Sequence, residues 1–350
     1  MTENDRQVKV GVAGLGRSGW DIHVSMIRQL PEKYQIVAVA DLLPERREEA
    51  ATQIGCRTYD NFDQLLEDAE VELVVVAVPS YLHSEYAIKA LKAGKAVVCE
   101  KPMATSLEKA DEMIAVAKVT GSTLAPFQNR RYSPDFREVR RVIDSGVLGR
   151  IVTIRLAYHA FKRRWDWQTL QEFGGGSLNN TCPHPIDRAL ALMGDKTPQV
   201  FCKRDRVLTL GDADDYVKIV LSAEGAPTIE IEVTDNVAYP QPAWFVAGTR
   251  GGLSGSTKKL DWRFVRQQEF PPREVDKRSP PDRGYNKEDL VWHEGSWDLA
   301  SDETPGELGY YIDLYDCLTK GAPLPIDLQT VRRQMWVMEE CRRQAPLEAA

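Results

Sequence analysis

The order of apolar and polar positions divides the chain in two. Over the first third, short continuous apolar runs alternate with stretches of helical spacing. The runs are VKVGVAGLG (8–16), QIVAVAD (35–41), ELVVVAV (72–78), KAVVCE (95–100) and TLAPFQN (123–129). Between them SGWDIHVSMIRQL, PERREEAATQI, LHSEYAIKALKAG and SLEKADEMIAVAKVTG read as helices, and Ser106 is suited to cap the last. Buried-strand runs separated by helices predict a doubly wound parallel sheet covered on both faces, an α/β arrangement.

After about residue 150 the period changes to two. IVTIRLAYHA, VFCKRDRVLTL, YVKIVLSAEG and TIEIEVTDN alternate as half-buried antiparallel strands, interrupted by the helical IDRALALMG. Residues 266–305, rich in proline and charge, read as a long surface excursion. ELGYYIDLYDCLTK and TVRRQMWVMEECRRQ close the chain as helices. The 350 residues exceed a usual single core. The pattern predicts a nucleotide-binding domain over 1–128 and an α+β domain built on an antiparallel sheet over 129–350.

Composition narrows the class. The chain is 43% hydrophobic and 28% charged, as globular proteins are. Its formal net charge of −7 argues against a nucleic-acid partner. LVVVAV (73–78) is too short to span a bilayer, so no membrane partner is expected. MTENDRQ leads straight into a strand with no sign of a signal peptide. Six cysteines without a CxxC pair read as reduced thiols, with no metal site, in a cytoplasmic protein.

Gly14-Leu15-Gly16-Arg17-Ser18-Gly19 is G-x-G-x-x-G between a strand and a helix. Gly14 permits the tight turn, Gly16 admits a pyrophosphate to the backbone, and Gly19 lets helix and strand pack closely. The helix N-terminus, with Arg17 and Ser18, then faces the phosphates. Asp41 ends the next strand 22 positions after Gly19, where a carboxylate accepts from both ribose hydroxyls and repels a 2′-phosphate. This favours NAD over NADP. Arg46 and Arg47 either weaken that preference or are solvated helix charges.

Two further stretches carry candidate chemistry. Glu100-Lys101-Pro102 ends a strand where doubly wound sheets bind ligands, or is an ordinary surface pair. EFGGGSLNNTCPHPIDRAL (172–190) sets three glycines before Asn180, His184 and Asp187, with His184 between two prolines. The glycines either bring backbone close to a ligand or form a flexible loop. The helix begins near Pro185, or earlier with a kink.

VGVAGLGRSG, Asp41, VPSYLHSEYAIKALKAGKAVVCEKP and GGGSLNNTCPHPID together resemble the Gfo/Idh/MocA oxidoreductases, the family of glucose–fructose oxidoreductase and inositol dehydrogenase. The resemblance extends to about residue 194. It implies a Rossmann domain and a C-terminal domain with a large open antiparallel sheet, through which subunits pair as homodimers or homotetramers. It also implies NAD(P)-linked redox at a secondary alcohol of a sugar, cyclitol or related polyol. Lys101 would lie beside the substrate oxygen and His184 would be the acid/base. Pro79, His83 and Glu100 would line the cofactor, and Gln128 and Asn129 would face the nicotinamide side. The usual final motif is G-G-G-x-x-x-D-x-G-x-H-x-x-D. Here Asn180 stands where the aspartate usually does, and Cys182 replaces a glycine.

The chemistry expected is proton abstraction by neutral His184 and charge stabilisation by Lys101 at the same oxygen. Asn180 would hold the imidazole through its amide or hydrogen-bond the substrate or the nicotinamide amide, and Asp187 would orient the imidazole or, the reading preferred, cap and anchor the helix. In FKRRWDWQ (161–168), Trp165, Trp167 and Arg163 or Arg164 would meet the carbohydrate, or form an ordinary interface. Asn129-Arg130-Arg131-Tyr132 would be a hinge or a substrate contact. Two other classes remain: a glycoside-cleaving enzyme that retains its NAD through transient ring oxidation, and a non-catalytic NAD-bound sugar sensor. The presence of both Lys101 and His184 argues against the sensor.

Overall fold

A computed structural model describes residues 6–278 and 283–348. Residues 1–5 of the polar start, and part of the expected surface excursion, lie outside them. Six strands form the first sheet: β1 (Val8–Ala13), β2 (Tyr34–Ala40), β3 (Arg57–Tyr59), β4 (Leu73–Val76), β5 (Ala96–Cys99) and β6 (Leu124–Pro126). Their order is β3-β2-β1-β4-β5-β6 and every pair is parallel. This is the Rossmann order, with the strand order reversing between β1 and β4. Strand β4, spelled LVVV, is buried at all four positions because helices cover both faces, which accounts for its continuous apolar run. Ser106 caps the helix Leu107–Thr120 by accepting from the Lys109 amide at 3.2 Å.

The second sheet has eight strands: β7 (Ile151–His159), β8 (Gln199–Asp205), β9 (Tyr216–Ser222), β10 (Thr228–Thr234), β11 (Trp244–Gly248), β12 (Gly251–Gly255), β13 (Lys259–Phe264) and β14 (His293–Asp298). Their order is β14-β13-β12-β11-β7-β10-β9-β8. All pairs are antiparallel except β7–β10, which is parallel and makes the sheet mixed. The alternation in β9 and β10 turns Val217, Ile219, Leu221, Ile229, Ile231 and Val233 inward. The helices Pro183–Met193 and Leu328–Gln344 cover that face. Trp244, buried on β11, donates its indole N–H to Asp135 at 2.8 Å and ties the sheet to the helix Pro134–Asp144.

Strands β11 to β14 carry no strong apolar alternation. β12 is GGLSG, and β14 lies inside the stretch expected to be a surface excursion. Ladder pairing supplies what their spelling does not. A Cβ at Gly295 would lie 2.4 Å from the Trp262 ring, so the glycine makes room for the cross-strand aromatic. The outer face combines charged pairs with exposed apolar side chains. Lys218 bridges Glu230 at 3.2 Å and Glu232 at 2.9 Å, and Arg155 lies 3.4 Å from Glu230. Phe201 on β8 and Phe245 on β11 are large apolar side chains exposed on the same face.

Candidate active site

One cleft of about 700 Å³ runs along the C-terminal ends of β1, β2, β4 and β5. Gly14, with φ at +88°, turns the chain out of β1. A Cβ at Gly19 would lie 1.8 Å from the Gly14 carbonyl oxygen, which fixes glycine at both positions. At Gly16 the nearest atom to such a Cβ is 3.9 Å away on Arg46, so the backbone there stands open to the cleft. Ser18–Val24 begins the following helix as a wide π turn, continued by the α-helical Ser25–Arg28. Asp41 closes the far end. It accepts from the Leu15 amide at 2.7 Å and the Leu43 amide at 2.9 Å, with Arg46 at 3.3 Å. An open glycine backbone, a helix start and a carboxylate at the next strand end together fit a dinucleotide.

At the other end lie Lys101, Asn180 and His184. Lys101 follows β5, and its ammonium donates to the Asn180 carbonyl oxygen at 2.7 Å. Beneath it, the buried Glu100 carboxylate accepts the Lys101 amide at 2.8 Å and lies 3.3 Å from His23 Nε2. His23 Nδ1 meets the Tyr311 hydroxyl at 2.7 Å. Burial pushes the Glu100 carboxyl upward. The His23 contact, the Lys101 charge and the Lys101 amide outweigh it and hold the group at about 2. His83 bridges the end of β4 to the same turn, with ring nitrogens 2.9 Å from the Val78 carbonyl and 2.7 Å from that of Pro102. Burial lowers its basicity.

The helix carrying His184 starts at Pro183, after a short turn Ser177–Asn180. Among the described residues His184 makes no side-chain hydrogen bond, and its buried Nδ1 has no partner. Burial, then the charges of Lys101, Arg130, Arg188 and Arg17, drive its pKa well below the ordinary imidazole value. Lys101 is lowered as well, by burial and by Arg17, Arg130 and Arg164 against the opposing pull of Glu100. Asp187 takes Arg131 in a two-pronged pair at 2.7 Å and anchors the helix.

Several expected positions fall elsewhere. Asn180 lines the cleft, but its amide donates to the Gln168 carbonyl at 3.1 Å rather than holding the His184 ring. Gln128 does not face the cofactor cleft. It is buried and donates to Gln334 at 2.8 Å, while Asn129 and Arg130 take the cleft positions. Trp165 is 77% exposed and stands outside the cleft with Arg163. Arg164 and Trp167 line it, because Arg164 folds back onto Asp166 and Gln168. The three glycines approach protein, not ligand. A Cβ at Gly175 would lie 2.4 Å from the Gln168 carbonyl oxygen, and one at Gly176 2.5 Å from Asp214. Gly175 lets the 161–173 loop close onto the turn before the His184 helix, and Gly176 lets that turn close onto Asp214. His23 and Tyr311 carried no sequence signal, since 288 positions separate them.

Two family models match. One, described as the oxidoreductase family with an NAD-binding Rossmann fold, covers residues 8–127. The other, the GFO/IDH/MocA C-terminal domain, covers residues 136–254. The chain belongs to the Gfo/Idh/MocA oxidoreductase family. Its cofactor is accordingly NAD, on the Rossmann domain. The oxidoreductase C115.03 of Schizosaccharomyces pombe is 30% identical over 370 positions, covering 95% of each chain. The 2,7-anhydro-N-acetylneuraminate hydratase of Mediterraneibacter gnavus is 28% identical, covering 73% of this family member and 71% of the relative. The scyllo-inositol 2-dehydrogenase (NADP(+)) IolW of Bacillus subtilis is 30% identical over 61% of this chain and 59% of its own. In fold, the WlbA dehydrogenase from Bordetella pertussis, solved with NADH and UDP-GlcNAcA, superposes with a TM-score of 0.79 at 21% identity, covering 99% of this chain and 100% of its own. Among the described residues no helix is long and apolar enough to cross a membrane, and no cluster of metal-ligating side chains occurs.

Proposed function

We propose that this oxidoreductase interconverts a secondary alcohol and a ketone on a sugar, sugar derivative, glycoside or cyclitol. The observation that carries the reading is the meeting of Lys101 and His184 at one end of the cleft whose other end holds the glycine turn and Asp41. The cofactor, when bound, supplies the hydride acceptor or donor. His184, kept uncharged, takes the hydroxyl proton on the imidazole it presents to the cleft, at Nε2, since Nδ1 is buried. Among the described residues the Lys101 ammonium donates to the Asn180 carbonyl alone, and its other N–H donors stabilise negative charge on the same oxygen. We place the division between the cofactor and substrate domains at 128/129, with Pro79, His83, Arg17 and Ser18 on the cofactor side. The inositol dehydrogenase relative supports this chemistry.

A second reading has its own support. The hydratase relative is named for a reaction without net oxidation, which favours a redox-neutral cycle in which the same base acts and NADH does not accumulate. NADH absorbance with a panel of sugars, inositols and glycosides, alongside chromatography of the products, separates the two. NADH rising with product supports the dehydrogenase. Product without NADH supports the redox-neutral enzyme. Binding without product removes both in favour of a sensor.

A further inference from the structure

The reacting end of the cleft carries more positive charge than proton transfer from an alcohol requires. Arg17, Lys101, Arg130 and Arg164 line it around His184, against the carboxylates of Glu100 and Asp166. At the Asp41 end the balance is reversed, with Arg46 against Asp41 and Asp60. The whole chain is acidic, at −7, so the positive end is a local arrangement.

Two of the four cations have uses already. Arg17 sits on the glycine turn, pairs with no carboxylate among the described residues, and suits the cofactor's pyrophosphate. Lys101 serves the reacting oxygen. Arg130 and Arg164 remain, and they reach the cleft from different segments, the Asn129–Arg131 turn after β6 and the loop after β7. Each is held by one carboxylate at the surface: Arg130 by Glu307 at 2.7 Å, and Arg164 by Asp166 at 2.8 Å. Such half-exposed pairs add little stability and exchange readily for another anion. Glu307 is also shared, since it accepts from Asn129 at 2.6 Å. A guanidinium presents a planar fork that matches carboxylate and phosphoryl oxygens, and Arg130 and Arg164 both line the one cleft near enough to Lys101 for their charges to act on it.

We propose that the substrate is an anionic carbohydrate, whose carboxylate or phosphoryl group seats at Arg130 and Arg164 while its alcohol meets Lys101 and His184. This rests on the dehydrogenase reading and adds to it the charge of the substrate. Trp167, on the same wall, offers an apolar surface to the ring between the two groups.

The test uses the NAD-loaded protein with glucuronate and glucose 6-phosphate against their neutral parent glucose, and with myo-inositol. Binding is read by calorimetry and turnover by NADH absorbance. At least one anionic probe should bind about tenfold or more tightly than glucose, the scale of a charge-assisted contact. That advantage should shrink as salt is raised. Arg164→Gln and Arg130→Gln should each erode it, with affinity for NAD itself retained. Which anionic probe binds tells carboxylate from phosphoryl recognition. Equal or tighter binding of the neutral probes, failure of both anions to bind, or an advantage untouched in Arg164→Gln would overturn the proposal. Neutral polyols turned over without anion preference would remove this inference and leave the dehydrogenase standing. Anion binding without turnover would do the reverse.

Discussion

Lys101 and His184 place opposed demands on one small volume. The lysine must stay charged to stabilise an oxyanion, and the histidine must stay uncharged to take a proton. Burial works against charge on both, and the lysine's own charge then works against the imidazolium. Removing the ammonium in Lys101→Ala should lower turnover by about 10² or more, with the fold and NAD binding kept. Activity within a few fold of the native protein would take Lys101 away from the reacting oxygen. The same environment sets the pH response. His184 resists protonation, so the acid limb of kcat/KM for oxidation should lie below about pH 6.5, the ordinary imidazole value. In Asn180→Asp a carboxylate enters the cleft and the limb should move upward. A limb at or above neutrality in the native protein, or one unmoved in Asn180→Asp, would show that the titrating group is not His184 in this setting.

At the scale of elements, the turn after β5 is held from below. Glu100 fastens the Lys101 amide, His23 on the first helix faces Glu100, and Tyr311 on the helix Gly309–Lys320 fastens His23. Three elements thus fix the position of one lysine. The arrangement has a stability signature. The Glu100 carboxyl falls from 4.5 to about 2 on folding, so between those values the unfolded chain holds the extra proton and stability rises with pH. Its contribution is complete above about pH 4.5 and is lost as pH falls toward 2. Denaturation of the native protein and of Glu100→Gln, compared across pH, should show a gap that is widest above pH 4.5 and narrows below it. A gap independent of pH would mean that the Glu100 charge does not contribute. The glycines at 174–176 work at this scale too, since Gly175 and Gly176, themselves outside the lining of the cleft, pack the turn before the His184 helix against Gln168 and Asp214.

At the scale of the whole molecule, the open face of the eight-stranded sheet is the candidate assembly surface. It is a charged ladder of Arg155, Glu230, Lys218 and Glu232 with Phe201 and Phe245 beside it, so pairing there would combine apolar burial with charge complementarity. Sedimentation at micromolar concentration should give a dimer or tetramer, and Phe245→Asp should shift it toward monomer. A native monomer would end the idea.

Local spelling was enough for the periodic elements and the glycine turn. A buried strand, a helix cap and a G-x-G-x-x-G turn are each decided by residues within a few positions of one another. Hence β1, β2, β4, β5 and β6, the Ser106 cap and the turn from Gly14 to Gly19 with Asp41 were legible, as was the placing of Lys101 and His184 in one cleft once the motifs were read as a set, whereas the three-residue β3 carried no run of its own. Tertiary contacts settled whatever depends on partners far along the chain. Strands β11 to β14 exist because neighbours complete their ladders, and GGLSG has no pattern of its own to announce them. Gln128 turned to Gln334 and Asn180 to Gln168 because a buried amide binds whichever backbone or side chain packing brings within reach. Of the loop FKRRWDWQ, Arg164 and Trp167 entered the cleft while Arg163 and Trp165 did not, since one turn of backbone decides which side chains face inward. The His23–Glu100 contact under Lys101 joins residues that no spacing rule connects, and it formed because the sheet sets the ends of β1 and β5 on one side of the molecule.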